Sequence, residues 1–74
     1  MPYSSIGDLP DALRLRLPLH AQEIFCAAFN NAWNSHLDES LTRRETIAHR
    51  VAWGAVKKQY QKAGAIWVAK SGVD

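Results

Sequence analysis

Three histidines, one cysteine and a row of basic side chains are the groups in this 74-residue chain whose chemistry could define a function. His20, His36 and His49 are metal-ligating residue types, but no two of them share a helix at the four-residue spacing that stacks imidazoles on one turn. Neither H-E-x-x-H nor C-x-x-C occurs. The expectation is structural or solvated histidines, with a pH-responsive contact as the alternative, and neither a metal site nor a cofactor. Cys26 has no partner for an internal disulfide and lies in an apolar helical stretch, the setting of a small buried hydrophobe in a reducing cytoplasm. With no nucleophile elbow, no glycine-rich phosphate loop and no carboxylate pair, the chain reads as a non-enzyme.

The basic side chains carry more. The net charge of +2 divides unevenly: residues 1–39 set Arg14 and Arg16 against five carboxylates, a net of −3, whereas residues 40–74 set seven cations against Glu45 and Asp74, a net of +5. Arg43, Arg50 and Lys57 are spaced seven apart. At 100° per residue each lies about 20° behind the last, so on a helix they line one edge over roughly 21 Å. Such a row can be a solvated face, or it can follow an acidic protein or a phosphate backbone. Three phosphate contacts would give a weak, salt-sensitive interaction with a slope of about −2.7. Trp53 falls beside this row on the helical wheel. Its indole either packs in the core, against Trp67 or the N-terminal tail, or adds an aromatic anchor to a contact surface.

These groups need elements to hold them, and the apolar spacing supplies three helices. Asp8 can cap a short first helix with Leu9-Pro10-Asp11 as its first turn; Leu13 and Leu17 share a face, and Pro18 stops the helix at about Arg16. The second spans Leu19 to Leu37, where Ala21, Ile24, Phe25, Ala28, Phe29, Ala32, Trp33 and His36 repeat at helical spacing and form a core face. Its opposite face is polar and carries Asn30. The third begins at Arg43 behind a Thr42-x-x-Glu45 capping box. It carries the stripe Ile47, Ala48, Val51, Ala52, Ala55, Val56 and Tyr60, with Gly64 as a left-handed C-terminal cap. Gly54, inside it, suggests close approach of another segment.

The predicted architecture is therefore mainly α, a compact single domain over residues 1–74 with one short and two long antiparallel helices. Ile66 to Ala69, rich in strand formers, could pair with Met1 to Ser5 in a small antiparallel two-stranded ribbon of N- and C-terminal segments. A domain of this size buries only about 60% of the surface its unfolded chain exposes, which leaves little depth for a pocket. At 47% hydrophobic and 22% charged the composition is that of a globular domain, and no apolar run is long enough to span a membrane. Met1-Pro2-Tyr3-Ser4-Ser5 lacks the basic start and apolar core of a signal peptide, so a cytoplasmic protein is expected.

Several short strings, in order, resemble one family. Met1-Pro2-Tyr3, Asp8-Leu9-Pro10, Leu17-Pro18 with His20-Ala21-Gln22, Ala28-Phe29-Asn30 with Ala32-Trp33, and Arg44-Glu45 leading into Ala48-His49, Val51-Ala52-Trp53, Ala55-Val56-Lys57 and Tyr60 are similar to the ChaB family. The resemblance runs from Met1 to about Trp67. It implies a small bacterial cytoplasmic protein of mainly helical fold with a minor antiparallel ribbon, associated as a regulator with a calcium/proton or sodium/proton antiporter. It implies no catalytic or ligand-binding residues, and relatives in insect viruses resemble DNA-binding proteins. Asp38 and Glu39, in the connector, offer too few oxygens for a calcium loop by themselves.

Two partner classes follow. A protein partner, the antiporter or its regulatory machinery, would meet Arg43, Arg50, Lys57 and Trp53; alternatively the same edge would contact nucleic acid. Helix lengths and the antiparallel pairing argue against a helix-turn-helix.

Overall fold

The computed structural model describes residues 3–70, and Met1, Pro2 and the segment 71–74 lie outside the described residues. A single 3-10 turn, Ile6–Asp8, leads into α1 (Asp11–Arg16), α2 (Leu19–Ser35), α3 (Leu41–Gln59), β1 (Tyr60–Ala63) and β2 (Ile66–Ala69). The expected architecture is present: three helices, two of them long, with a small antiparallel two-stranded sheet.

Two of the three prolines, Pro10 and Pro18, act on α1 much as their chemistry demands. Pro10 stands at its N-cap and Pro18 at that of α2, positions where a missing N–H removes no helical hydrogen bond. Asp8 does not cap α1; it ends the 3-10 turn, and Pro10 lies before the helix instead of in its first turn. The last carbonyls of α1 are met by Gln22, whose Nε2 donates to Leu17 O at 2.8 Å and to Arg14 O at 3.2 Å.

The α2 face assigned from spacing is the core. Ala21, Phe25, Phe29, Ala32 and Trp33 are buried, with Ile24 and Ala28 packed against them, and Cys26 is buried beside them as a small apolar residue. Ala48, Ala52 and Val56 from α3 close the other side. Ring contacts prove the helices antiparallel: Phe25 lies 5.3 Å from Trp53, Phe29 lies 5.9 Å from His49, and Arg44 lies over Trp33. Each step forward on α2 meets a step backward on α3. Small residues at 48 and 52 let the α3 backbone approach the α2 rings closely.

Four local expectations need correction. The cap of α3 is Ser40, whose Oγ accepts from the Arg43 N–H at 3.3 Å, so Thr42 and Glu45 lie inside the helix and form no capping box. Starting two residues earlier fills the first turn and turns Arg44 toward the end of α2. Helix α3 ends at Gln59, because Tyr60 goes extended (φ −129°, ψ 155°) and enters β1. Gly64 does take a left-handed φ of 65°, but in the two-residue hairpin turn between β1 and β2. Positive φ at the first central position only is the pattern of a II′ turn. β2 therefore pairs with β1, in the register Tyr60↔Ala69, Gln61↔Val68, Lys62↔Trp67 and Ala63↔Ile66, and with none of Tyr3 to Ser5; Met1 and Pro2 of the expected ribbon lie outside the described residues. A two-residue turn closes this hairpin at far lower entropic cost than bringing in a strand from the other end of the chain. Gly54 has nothing within 4 Å of where a Cβ would stand, so no segment approaches it closely.

The tail contact is of another kind. The Asn30 side-chain amide brackets the Tyr3 backbone: Tyr3 N–H donates to Asn30 Oδ1, and Asn30 Nδ2 donates to Tyr3 O, both at 2.7 Å. This seats the Tyr3 ring 4.9 Å from Phe29.

Candidate functional site

Arg43, Arg50 and Lys57 are all exposed on α3, yet they differ in charge available to a partner. Arg43 Nε is 2.9 Å from Glu39 Oε1, an (i, i+4) pair bridging the connector and the helix start. Among the described residues Arg50 and Lys57 form no ion pair. The cationic edge is thus partly neutralised at its N-terminal end and open toward its C-terminal end.

Trp53 packs against the core and is not fully covered by it. Its indole centroid lies 5.3 Å from Phe25, edge-on, and 5.3 Å from Trp67 at 37°, while the residue stays only half-buried. One side belongs to the core and the other borders a shallow cleft. Ala12, Leu13 and Arg16 of α1 line that cleft with Trp53 and Lys57 of α3 and Lys62 and Trp67 of the hairpin. The pairing of Lys62 directly opposite Trp67 puts both on one face of the ribbon. Trp53 against Trp67 then swings that face toward α1. Arg16 and Lys62 are the residues that sequence spacing missed, since one needs the docking of α1 and the other the hairpin register; Trp67 was foreseen only as a packing partner of Trp53.

The histidines do not converge. His20 is exposed, its Nδ1 3.3 Å from Glu23 Oε1. The His36 ring donates to Ala32 O at 2.8 Å and thereby satisfies a terminal carbonyl of α2. His49 stands edge-on to Phe25 and Phe29 at 5.6 and 5.9 Å. Among the described residues no three metal-ligating side chains cluster.

Cys26 points inward, its Sγ 3.7 Å from Tyr3 O. Burial pushes the thiol pKa up, and the Asn30 hydrogen bond offsets this in part. A thiol so held stays protonated, the opposite of what a nucleophile requires.

Arg44 is the other residue that spacing overlooked. Its guanidinium carbon sits 4.2 Å above the Trp33 ring, and Nη2 donates to Trp33 O at 3.1 Å. The cation closes the negative end of α2. Among the described residues no helix is long and apolar enough to cross a membrane.

Comparison with known proteins agrees with this fold over nearly the whole chain. The chain is 47% identical over 66 residues, 84% of its own length and 87% of theirs, to proteins of Escherichia coli K12 and Shigella flexneri named "Putative cation transport regulator ChaB". A solution NMR structure described by the same words superposes with a TM-score of 0.84 at 43% identity, covering 95% of this chain and all of the other. The ChaB family model matches residues 9–70, a span that takes in both long helices, the ribbon and the cleft between them and α1, and the chain therefore belongs to the ChaB family.

Proposed function

We propose that this chain is a non-enzymatic regulator of cation transport, cytoplasmic and bacterial, that acts by contacting another macromolecule. The partner is a calcium/proton or sodium/proton antiporter or the machinery that controls it. The contact surface is the basic edge of α3, Arg43, Arg50 and Lys57, with Trp53 beside it. The observation that carries the regulatory role is the 47% identity to proteins bearing the cation transport regulator name. Support for a surface contact comes from the exposed cations Arg50 and Lys57, which have no ion pair among the described residues, next to a half-buried indole. Tryptophan and arginine are among the residues enriched at interface hot spots, and Lys57 adds charge at the rim.

The test is cation/proton exchange in everted membrane vesicles from cells with and without the chain. Removing it should change the exchange rate or its dependence on cation concentration, and Arg50→Glu with Lys57→Glu should reproduce that change. Arg43→Glu, whose charge is already paired with Glu39, should have the smaller effect. Exchange that is identical with and without the chain, in vesicles and in cellular cation tolerance, would refute the regulatory role.

A further inference from the structure

We infer that the cleft between α1, α3 and the hairpin is a receptor for an acidic protein segment that carries an apolar side chain between its carboxylates. The inference rests on the reading above that the chain works by macromolecular contact, and it specifies where and with what.

Four features of the cleft point to this occupant. Arg16, Lys57 and Lys62 come from three different elements and meet around it, and among the described residues no carboxylate lines it. None of the three forms an ion pair among the described residues, although the N-terminal half of the chain has carboxylates to offer, and both Arg14 and Arg43 are paired. Bringing three like charges together unpaired disfavours the free state and favours a polyanionic guest. The floor is Leu13 with the indoles of Trp53 and Trp67, an apolar surface suited to an aliphatic or aromatic side chain.

The same geometry favours a peptide over a nucleic acid. A phosphate backbone is followed by cations in a line, whereas these come from three elements around an apolar floor; the linear row on α3 is shortened at its N-terminal end, where Glu39 pairs with Arg43.

The experiment is a tryptophan-fluorescence titration of the whole chain with the capped peptide Glu-Asp-Leu-Glu-Asp-Leu, alongside its Lys-for-acid counterpart and oligothymidylate. The acidic peptide should bind and shift the emission, the basic one should not, and oligothymidylate should bind at least about tenfold more weakly. Arg16→Gln with Lys62→Gln, both on exposed residues, should weaken peptide binding about tenfold or more with an unchanged melting curve, and Lys58→Gln, an exposed cation of α3 outside the cleft, should leave it unchanged. Replacing the leucines of the peptide by serine should also weaken binding. Equal binding by the double variant, no binding to the acidic peptide, or tighter binding of oligothymidylate would each overturn the inference. Peptide binding at the cleft in a protein whose removal leaves cation exchange untouched would sink the regulatory role and spare the receptor.

Discussion

The guanidinium of Arg44 sits over Trp33 with its central carbon 4.2 Å from the ring centroid while Nη2 donates to the Trp33 carbonyl at 3.1 Å. One side chain from the first turn of α3 thereby holds both the ring and the backbone at the last turn of α2. It locks the hairpin of long helices at its connector. Among the described residues Arg44 Nε is buried with no hydrogen-bond partner, and the contacts that hold the cation are the ring and the carbonyl.

Arg44→Ala should lower unfolding stability by about 1–3 kcal/mol, the combined loss of a cation–π contact and a charged hydrogen bond. Arg44→Lys should recover only part of this, because an ammonium cannot cover the indole and reach the carbonyl with one planar group. Urea unfolding followed by tryptophan emission measures both. Equal midpoints for Arg44→Ala and the parent would show the contact to be energetically empty.

The Asn30 bracket around Tyr3 sets the second expectation. Asn30→Ala leaves the part-buried N–H of Tyr3 without its partner and its carbonyl with only the weak Cys26 thiol donor, and should cost about 1–3 kcal/mol. Amide hydrogen exchange at Tyr3 should accelerate more than exchange in the middle of α3. Uniform acceleration throughout the chain would mean that the bracket does not act locally.

Phe29 is 1% exposed and has Tyr3, Phe25, Trp33 and His49 around its ring at centroid distances of 4.9 to 6.2 Å. Phe29→Ala should cost about 3–5 kcal/mol, a large part of the 5–10 kcal/mol expected of a domain this small. Calorimetry should show a much lower melting temperature or no cooperative transition. A parent-like melting curve would remove Phe29 from the centre of the core.

Gly54→Ala is expected to stabilise. Gly54 is interior to α3, exposed, without a positive φ, and a Cβ there meets nothing within 4 Å, so alanine gains about 0.5–1 kcal/mol of helix propensity at no steric cost. A lowered urea midpoint would contradict the open space at this position.

Alkaline pH should destabilise the fold through two acids. Burial holds the Tyr3 phenol above its ordinary value, with the charges of Glu45 and Cys26 adding to the shift, and burial likewise raises the Cys26 thiol. Above the ordinary values of 9.0 for the thiol and 10.0 for the phenol, the unfolded chain loses these protons first, so it binds fewer than the folded chain and stability falls with rising pH. The stabilisation is complete below those values and is lost as pH climbs through the raised ones. Tyr3→Phe and Cys26→Ala should each flatten the alkaline slope of the urea midpoint. Slopes identical to the parent in both variants would exclude these groups as its source.

What was legible in the sequence follows from periodicity and from local chemistry. The 3.6-residue repeat marks the buried face of α2 and, through Ala48, Ala52 and Val56, that of α3, although Val51 of the same stripe is exposed; Pro18 marks the end of α1, and a five-residue connector leaves the long helices little choice but to pair antiparallel. The absence of paired ligand spacing among the histidines is likewise a property of the chain, visible before folding. The ordered strings between Met1 and Trp67 were enough to suggest the ChaB family, whose model covers residues 9–70.

Only the tertiary structure decided which polar groups stand together. The helix-to-strand switch at Tyr60 depends on a hairpin whose closure turns on Gly64, and a stripe that continues at helical spacing through Tyr60 gives no warning of it. Lys62 reaches Trp67 through cross-strand register, and Arg16 reaches the same cleft through the docking of α1; neither relationship has a fixed separation along the chain. Spacing determines which residues share a face of one element, because backbone geometry sets that face. Contacts between elements depend on packing the whole core at once, and so the cleft, the Arg44 clasp on Trp33 and the Asn30 bracket on Tyr3 appeared only in three dimensions.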